Sequence, residues 1–308
     1  LPHDVRDAHL GSRLVALSKP NGGIRPIACG SVVRRLAARG FCLAYRDELR
    51  EAVGDRQFAI GMAGGCEVVH KCLSACAERS PSSVILALDF SNAFNTVDRS
   101  AIIEAFRADE SLQKVAVVAD TLCGVETHHH YQNSTGAHRV RATRGVDQGC
   151  PASPGLFALG IYGPLRSLEA WLHARDPDSS VYAYLDDVVI VCRPALALEA
   201  CQQAERLFAA AGLHLNESKC KAWQPQVSAA APFPPALASI RVDSLRCLGS
   251  LLPFLDRESD VSRVPIAAPS DATPQLAALE AFLDDLAGRA PAGRPHVTGC
   301  PRVFSYVH

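Results

Sequence analysis

The sequence is poor in several features that would define a class. Its 308 residues hold one methionine, Met62, and two tryptophans, and aromatic residues make up 6%. Long apolar runs are missing. Val84–Leu88 and Val188–Val191 fall far short of the roughly 20 residues that a membrane-spanning helix needs. The opening Leu1–His9 is polar and charged, unlike a secretory signal. No charge of one sign dominates: the formal net charge is −1, which names no partner. There are twelve cysteines but no C-x-x-C pair. That speaks against zinc fingers and against a dense disulfide scaffold. Cys72 and Cys76 are four apart on a predicted helix, near His70, and read as small buried apolar side chains. Free thiols fit a reducing intracellular compartment. The lone methionine is internal, so the chain reads as a fragment of a longer product.

What is present points to a folded core: 48% hydrophobic and 20% charged residues. The length suits one large domain or two modest ones. Charge is uneven along the chain. Between Arg13 and Arg50 stand eight basic residues and two acids, a candidate phosphate-facing footprint or an ordinary solvated helix face.

Arg13–Ile27 predicts two short strands around Pro20-Asn21-Gly22-Gly23, a hairpin signal. Ser31 caps a predicted helix running to about Val53, with apolar positions Val32, Val33, Leu36, Ala37 and Leu43 and a weak middle at Gly40. A second helix follows Gly64-Gly65. Ser83–Asp89 is an apolar strand ending in an acid. Asp98–Arg107, Pro154–Ala174 and Leu196–Ala211 read as helices. Thr127–Arg144 reads as a hairpin, with His128-His129-His130 in an exposed loop. Three consecutive His cannot all face one point on a strand. Val181–Tyr184 and Val188–Cys192 are strands around a tight turn. Leu213–Leu215, Lys219–Trp223 and Leu245–Leu251 are short strands, and Gln224–Pro235 is a loop. After Leu252, Pro, Ala and Asp become frequent, with one helix at Pro274–Ala287. Pro295-His296 to Cys300 lacks the second ligand pair that a zinc site needs. Alternating strands and helices give an α+β protein.

The chemistry sits at strand ends. Asp186-Asp187 lies between two apolar strands, at a hairpin tip. Two partly desolvated carboxylates repel each other there, and a hard cation such as Mg²⁺ would relieve them. A surface turn would also accept the pair. Asp89 ends Val84–Leu88 and can face Asp186 if the strands share a sheet. Alone, it reads equally well as a helix cap. Three carboxylates around one point suit two hard cations.

Read in order, several blocks resemble the successive motifs of reverse transcriptases. They are Asp89-Phe-Ser-Asn-Ala-Phe94, Gly145-Val-Asp-Gln-Gly-Cys-Pro-Ala-Ser-Pro154, Tyr184-Leu-Asp-Asp187, Gly212-Leu-His-Leu-Asn-Glu-Ser-Lys219 and Leu248-Gly-Ser250. Upstream, Lys19-Pro-Asn-Gly-Gly-Ile-Arg-Pro-Ile27 resembles the fingers hairpin of that family. Gln57-Phe-Ala-Ile-Gly-Met-Ala-Gly-Gly65 is similar to site-specific non-LTR (LINE-type) retrotransposons. The match runs from about Arg13 to Leu252. Many non-LTR enzymes carry Ala where Leu185 stands, and many carry Asp where Asn95 stands. Neither change touches a carboxylate of the trio.

The resemblance implies a right-hand polymerase: an antiparallel palm sheet packed on helices, with fingers, and with a thumb absent or incomplete. Residues 1–80 would be fingers, 81–110 palm, 111–147 a fingers hairpin insertion, 148–252 palm, and 253–308 a Pro/Ala-rich tail or partial thumb. It implies RNA-directed DNA polymerase activity with an RNA template, a DNA primer, dNTPs and two Mg²⁺ ions, or Mn²⁺ in their place. Asp89 and Asp186 would be direct metal ligands and Asp187 the supporting acid. Phe94 would sit under the sugar and exclude a 2′-hydroxyl; it also reads as a core Phe. Gln148 and Gly149 would line the nucleotide and template. Arg25, assisted by Lys19, would grip the triphosphate. Lys219 would stand near the leaving pyrophosphate. Leu248, Gly249 and Ser250 would support the primer end. Action in the nucleus during integration, from a cytoplasmic ribonucleoprotein, would follow. An inactive remnant that only binds nucleic acid, a group II intron maturase and an RNA-dependent RNA polymerase share the palm pattern and stay open at this point.

Overall fold

A computed structural model describes residues 9–18, 24–134 and 136–252. The predicted turn at 19–23, with Lys19, lies outside the described residues. So do the predicted helix Pro274–Ala287, the Pro295–Cys300 stretch and the tail.

The chain opens with an antiparallel hairpin, β1 (Ser12–Ser18) and β2 (Ile24–Gly30), paired from Ser12↔Gly30 to Ser18↔Ile24. The Ser31 side chain then accepts the Arg34 amide and caps the helix Val32–Ala44. This helix does not run on to Val53. It breaks at Tyr45 (φ −118°, ψ 31°), and a new helix covers Arg46–Ala52. Gly40 sits within the first helix without breaking it. Asp47 and Glu48 suit the first turn of the second helix, where the backbone dipole is positive.

The face that the first helix buries also differs from the expectation. Val32, Val33, Leu36, Ala37 and Leu43 are all exposed. Ala38 is buried, Phe41 and Cys42 are half-buried, and the Arg34 side chain is 10% exposed. That spacing is one helical face. A buried ion pair at Arg34 turns the helix away from its apolar stripe.

A helix follows at Gly65–Arg79, then β3 (Val84–Leu88). Asp98 caps the helix Arg99–Ala108 through the Ser100 amide. Two short helices, Glu110–Gln113 and Ala116–Cys123, were not expected; Asp109 caps the first. A second hairpin is formed by β4 (Thr127–Asn133) and β5 (Gly136–Ala142). It joins the first hairpin in one sheet of order β2-β1-β4-β5, with β1 and β4 parallel. So His128-His129-His130 lies on a strand, not in a loop.

The 21-residue helix Ser153–His173 leads to β6 (Ser180–Tyr184) and β7 (Asp187–Cys192). The helix Pro194–Ala209 and β8 (Lys221–Trp223) follow. Leu213–Leu215 is not a strand; Leu215 makes a single bridge to Phe90. The last described pair is β9 (Arg246–Cys247) and β10 (Ser250–Leu251).

The main sheet has the order β6-β7-β3-β8, antiparallel throughout. Alternation along each strand gives it two buried faces. Val84, Leu86, Leu88, Val188, Ile190 and Cys192 join the core under the helices Arg99–Ala108, Ser153–His173 and Pro194–Ala209. Ile85, Val189, Val191 and Trp223 face the helix Gly65–Arg79, through Val69 and Leu73. Each such aliphatic side chain contributes about 1.5–3 kcal/mol on burial. A sheet clamped on both faces holds its strand ends rigidly, and the acids stand at those ends. Among the described residues no helix is long and apolar enough to cross a membrane.

Candidate active site

Strand register brings the acids together. Leu88 pairs with Val188. One step further along that antiparallel register, Asp89 and Asp187 stand level. Tyr184 pairs with Asp187, so Leu185 and Asp186 form a two-residue turn. Leu185 takes the left-handed conformation that such turns require, at φ 55°.

The Asp89 peptide is gripped from both sides. Its carbonyl accepts from the Asn216 amide at 2.8 Å, and its N–H points at the Cys220 sulfur, 3.5 Å away. Next along, Ser91 donates to His214 O. Glu205, from the helix Pro194–Ala209, accepts the Leu215 amide and meets His214 Nδ1. The segment after β3 is thus fixed by the turn that ends in Lys219. The Lys219 ammonium lies 3.7 Å from Asp89 Oδ1, both half-exposed.

Electrostatics mark Asp186 and Asp187 as short of positive charge. Loss of hydration and the neighbouring Asp89 raise the Asp186 pKa, partly offset by its own backbone and by Arg25. Asp187 keeps solvent contact as a residue. Lost hydration, with Asp186 and Asp89 repelling it, nonetheless pushes its pKa up to about 6. Among the described residues no three His, Cys, Asp or Glu side chains already stand close enough to grip a metal ion. The donor set itself, three carboxylates on the facing ends of adjacent strands, fits hard divalent cations.

This makes a pH prediction. An Asp whose folded pKa is raised destabilises the fold once ionised. Stability should therefore fall as pH rises from 3.8 to about 6 and stay level above. In chelator, Asp187→Asn should remove that fall. Discounted for solvent contact, it should raise the Tm at pH 7 by about 2–4 °C. Thermal melts from pH 4 to 8 check this; a variant less stable at pH 7 than the parent would contradict it.

The other expected residues that are described have these surroundings. Arg25, on β2, is near enough for its charge to be felt at Asp186. Gln148 O accepts from the Ala28 amide at 2.7 Å, so Gln148 and Gly149 lie against β2. Gly149 has φ 118°, and a Cβ there would meet Ala28 O at 2.9 Å. Only glycine fits this approach. Phe94 is half-buried and stacks on Phe157, centroids 4.5 Å apart and planes 6° apart. Its carbonyl accepts the Val146 amide. Leu248 (φ 48°) and Gly249 (φ 84°) form the turn into Ser250, braced by Arg246 on Gly249 O. Cys247 beside this turn feels the Asp187 charge; its thiol is pushed up to about 12, chiefly by burial.

Sequence reasoning assigned nothing to Asp147, although it quoted the block that contains it. This buried carboxylate meets Arg34 Nη2 at 3.0 Å, His129 Nε2 at 3.3 Å and Ser12 Oγ at 2.9 Å. Burial pushes its pKa up, but hydrogen bonding to His129, the Arg34 charge and Ser12 outweigh that, and the net shift is downward. His129 is thus largely buried, correcting the exposed-loop expectation. Arg34 is likewise spent on a buried ion pair and not on a phosphate-facing footprint.

An antiparallel sheet with acids at paired strand ends, a helical layer on each face and a second sheet of two hairpins defines a polymerase palm with fingers. Telomerase from Candida tropicalis, in complex with a TWJ fragment of telomeric RNA, shares this fold. Its TM-score is 0.59 at 11% identity, over 90% of this chain and 49% of that one. Apo telomerase from the same organism, truncated from its C-terminal domain, gives 0.57 at 11% identity, over 80% of this chain and 54% of that one. Residues 17–250 match the family "Reverse transcriptase (RNA-dependent DNA polymerase)", and the chain belongs to it. Its sequence relatives come from retrotransposable elements. The SLACS 132 kDa protein of Trypanosoma brucei gambiense is 30% identical over 208 residues, 67% of this chain and 17% of that protein. The Pol polyprotein of the type-2 element R2DM of Drosophila melanogaster is 28% identical over 228 residues, 71% and 21% of the two chains. The chain thus spans about a fifth of these relatives. It is a reverse transcriptase domain of the non-LTR retrotransposon type, as its sequence blocks suggested.

Proposed function

We propose that this domain copies RNA into DNA by adding dNTPs to a DNA primer 3′-hydroxyl, with two Mg²⁺ ions held by Asp89, Asp186 and Asp187. The observation that supports the site assignment is the Leu88–Val188 pairing, whose register, carried one step on, sets Asp89 level with Asp187 at the sheet end. Bound there, the cations would acidify the attacking hydroxyl and neutralise the departing pyrophosphate. Mn²⁺ would substitute.

The chain's own residues do the rest. Arg25 holds triphosphate oxygens, joined by Lys19, and Gln148 and Gly149 floor the nucleotide and template. Lys219, drawn to the site by Asp89, gives a proton to the pyrophosphate. Leu248, Gly249 and Ser250 support the primer end. Residues 1–80 and 111–147 form the fingers, a layout supported by the joining of both hairpins in one sheet. Residues 81–110 and 148–252 form the palm, and 253–308 a tail or partial thumb. Within a longer protein the domain would serve retrotransposition in the nucleus.

Phe94 selects the sugar. Held flat on Phe157, its ring cannot yield to a 2′-hydroxyl. Primer extension on an RNA template with dNTPs or rNTPs tests both polymerase and gate. The parent chain should incorporate dNTPs, and Phe94→Ala should cut its preference over rNTPs by about tenfold or more. RNA binding without any incorporation would reduce the domain to a binding module. An unchanged preference would remove the gate.

A further inference from the structure

The catalytic turn contains a strained residue, and a buried glutamine holds it. Leu185 adopts φ 55° although it is not glycine. For an L-residue this conformation costs roughly 1–2 kcal/mol. Leu185 is 8% exposed, so water cannot freely serve its backbone. Both its backbone groups are served by one side chain. Gln57 Oε1 accepts the Leu185 N–H at 2.8 Å, and Gln57 Nε2 donates to the Leu185 carbonyl at 3.5 Å. Gln57 is fully buried, at 0% exposure.

The clamp is itself fixed. Arg56-Gln57-Phe58 runs parallel beside β6, bridging Gln57 to Ala183. Ala183 donates to Arg56 O and Phe58 donates to Ala183 O, each at 2.8 Å. Arg56 forms an ion pair with Glu169 on the helix Ser153–His173. From the other side Gly65 packs so tightly that a Cβ would lie 1.9 Å from Phe58 O and 3.3 Å from the Tyr184 ring. These contacts hold the Gln57 backbone against β6.

The Leu185 carbonyl belongs to the peptide plane that also carries the Asp186 N–H. Fixing that carbonyl fixes the direction in which the chain enters Asp186. We propose that Gln57 is a positioning residue for the reaction: by holding Leu185 left-handed it aims the carboxylates of Asp186 and Asp187. The inference rests on the metal reading of those acids. A buried amide suits the task because it supplies one donor and one acceptor without adding charge beside three carboxylates.

The test uses the whole chain and two readouts besides rate. Gln57→Met keeps the volume and removes both hydrogen bonds to Leu185 and the one from the Ala59 amide; Gln57→Asn keeps an uncharged donor and acceptor but draws them back by one methylene. Mn²⁺ binding, followed by loss of the free-ion electron paramagnetic resonance signal, should weaken about tenfold or more in Gln57→Met, the range for groups that orient metal ligands. Amide hydrogen exchange across Tyr184–Val188 should quicken. The template–primer Kd should stay within about twofold. Gln57→Asn should fall between, and it carries the same test if Gln57→Met does not fold. In a Leu185→Gly background the Gln57→Met loss should shrink, because glycine enters φ 55° without strain. A variant that melts earlier but binds Mn²⁺ normally would make Gln57 an ordinary core residue and overturn the proposal. So would equal losses in both backgrounds. No Mn²⁺ binding by the unsubstituted chain would instead sink the metal reading, and the Gln57 role with it.

Discussion

Asp186→Asn should lower RNA-templated primer extension by at least about 10³-fold, ~4 kcal/mol of transition-state stabilisation. It should do so without destabilising the protein. The substitution keeps the shape of a side chain in a two-residue turn and removes one charge. In the metal-free fold that charge is a burden: lost hydration, then Asp89, already raise the Asp186 pKa. Asparagine should leave the Tm equal or higher in chelator. With Mg²⁺ the order should reverse, since only the parent gains from the cation. Chelation of the parent should reproduce the activity loss. Steady-state extension and paired melts with and without Mg²⁺ separate this from misfolding. Full activity in Asp186→Asn would end the metal assignment.

How much of this was legible in the sequence depends on the range of the interaction. The turn at Asp186-Asp187 was readable because apolar β-branched runs flank it on both sides, and Asp89 because a buried strand ends on it. Those signals are local. The break at Tyr45 was not readable, since the one weak helix former in Val32–Ala52 is Gly40, and the helix runs through it. The helix Ala116–Cys123 went unseen because Val115–Val118 is a short apolar run that suits strand or helix alike. The helix Val32–Ala44 shows the limit best. Its apolar stripe predicted one buried face, and an ion pair 113 residues distant in sequence selected another. Gln57 and Leu185 meet across 128 residues and Ser12 and Asp147 across 135, and no local period encodes such pairs. Sequence blocks located the acids; only the fold shows what holds them.

Asp147→Ala is the second large effect, expected to cost about 3–5 kcal/mol of folding stability. The Arg34 side chain is 10% exposed, and its Nε already lacks a hydrogen-bond partner. Without Asp147, its charge would keep only Leu10 O and Ser12 Oγ, both on Nη1. Removing both partners should hurt less than the sum, so Asp147→Leu with Arg34→Met should recover at least about 2 kcal/mol of the summed single losses. The pH profile carries a sign of its own. Because the folded pKa of Asp147 is depressed, its contribution is complete above 3.8 and disappears as pH falls through the lower folded value. The variant should therefore lose that part of the parent's acid sensitivity, measured by urea unfolding from pH 3 to 7. The functional effect should be selective. Asp147 ties β1, through Ser12, and β4, through His129, to its own segment, in which the next residue, Gln148, receives the Ala28 amide on its carbonyl. Loosening that tie leaves the carboxylate trio intact but frees the segment proposed as the nucleotide floor, so on that proposal the KM for dNTPs should rise more than kcat falls. Equal losses in kcat with an unchanged KM would mean that the ion pair only holds the fold and does not shape the nucleotide site.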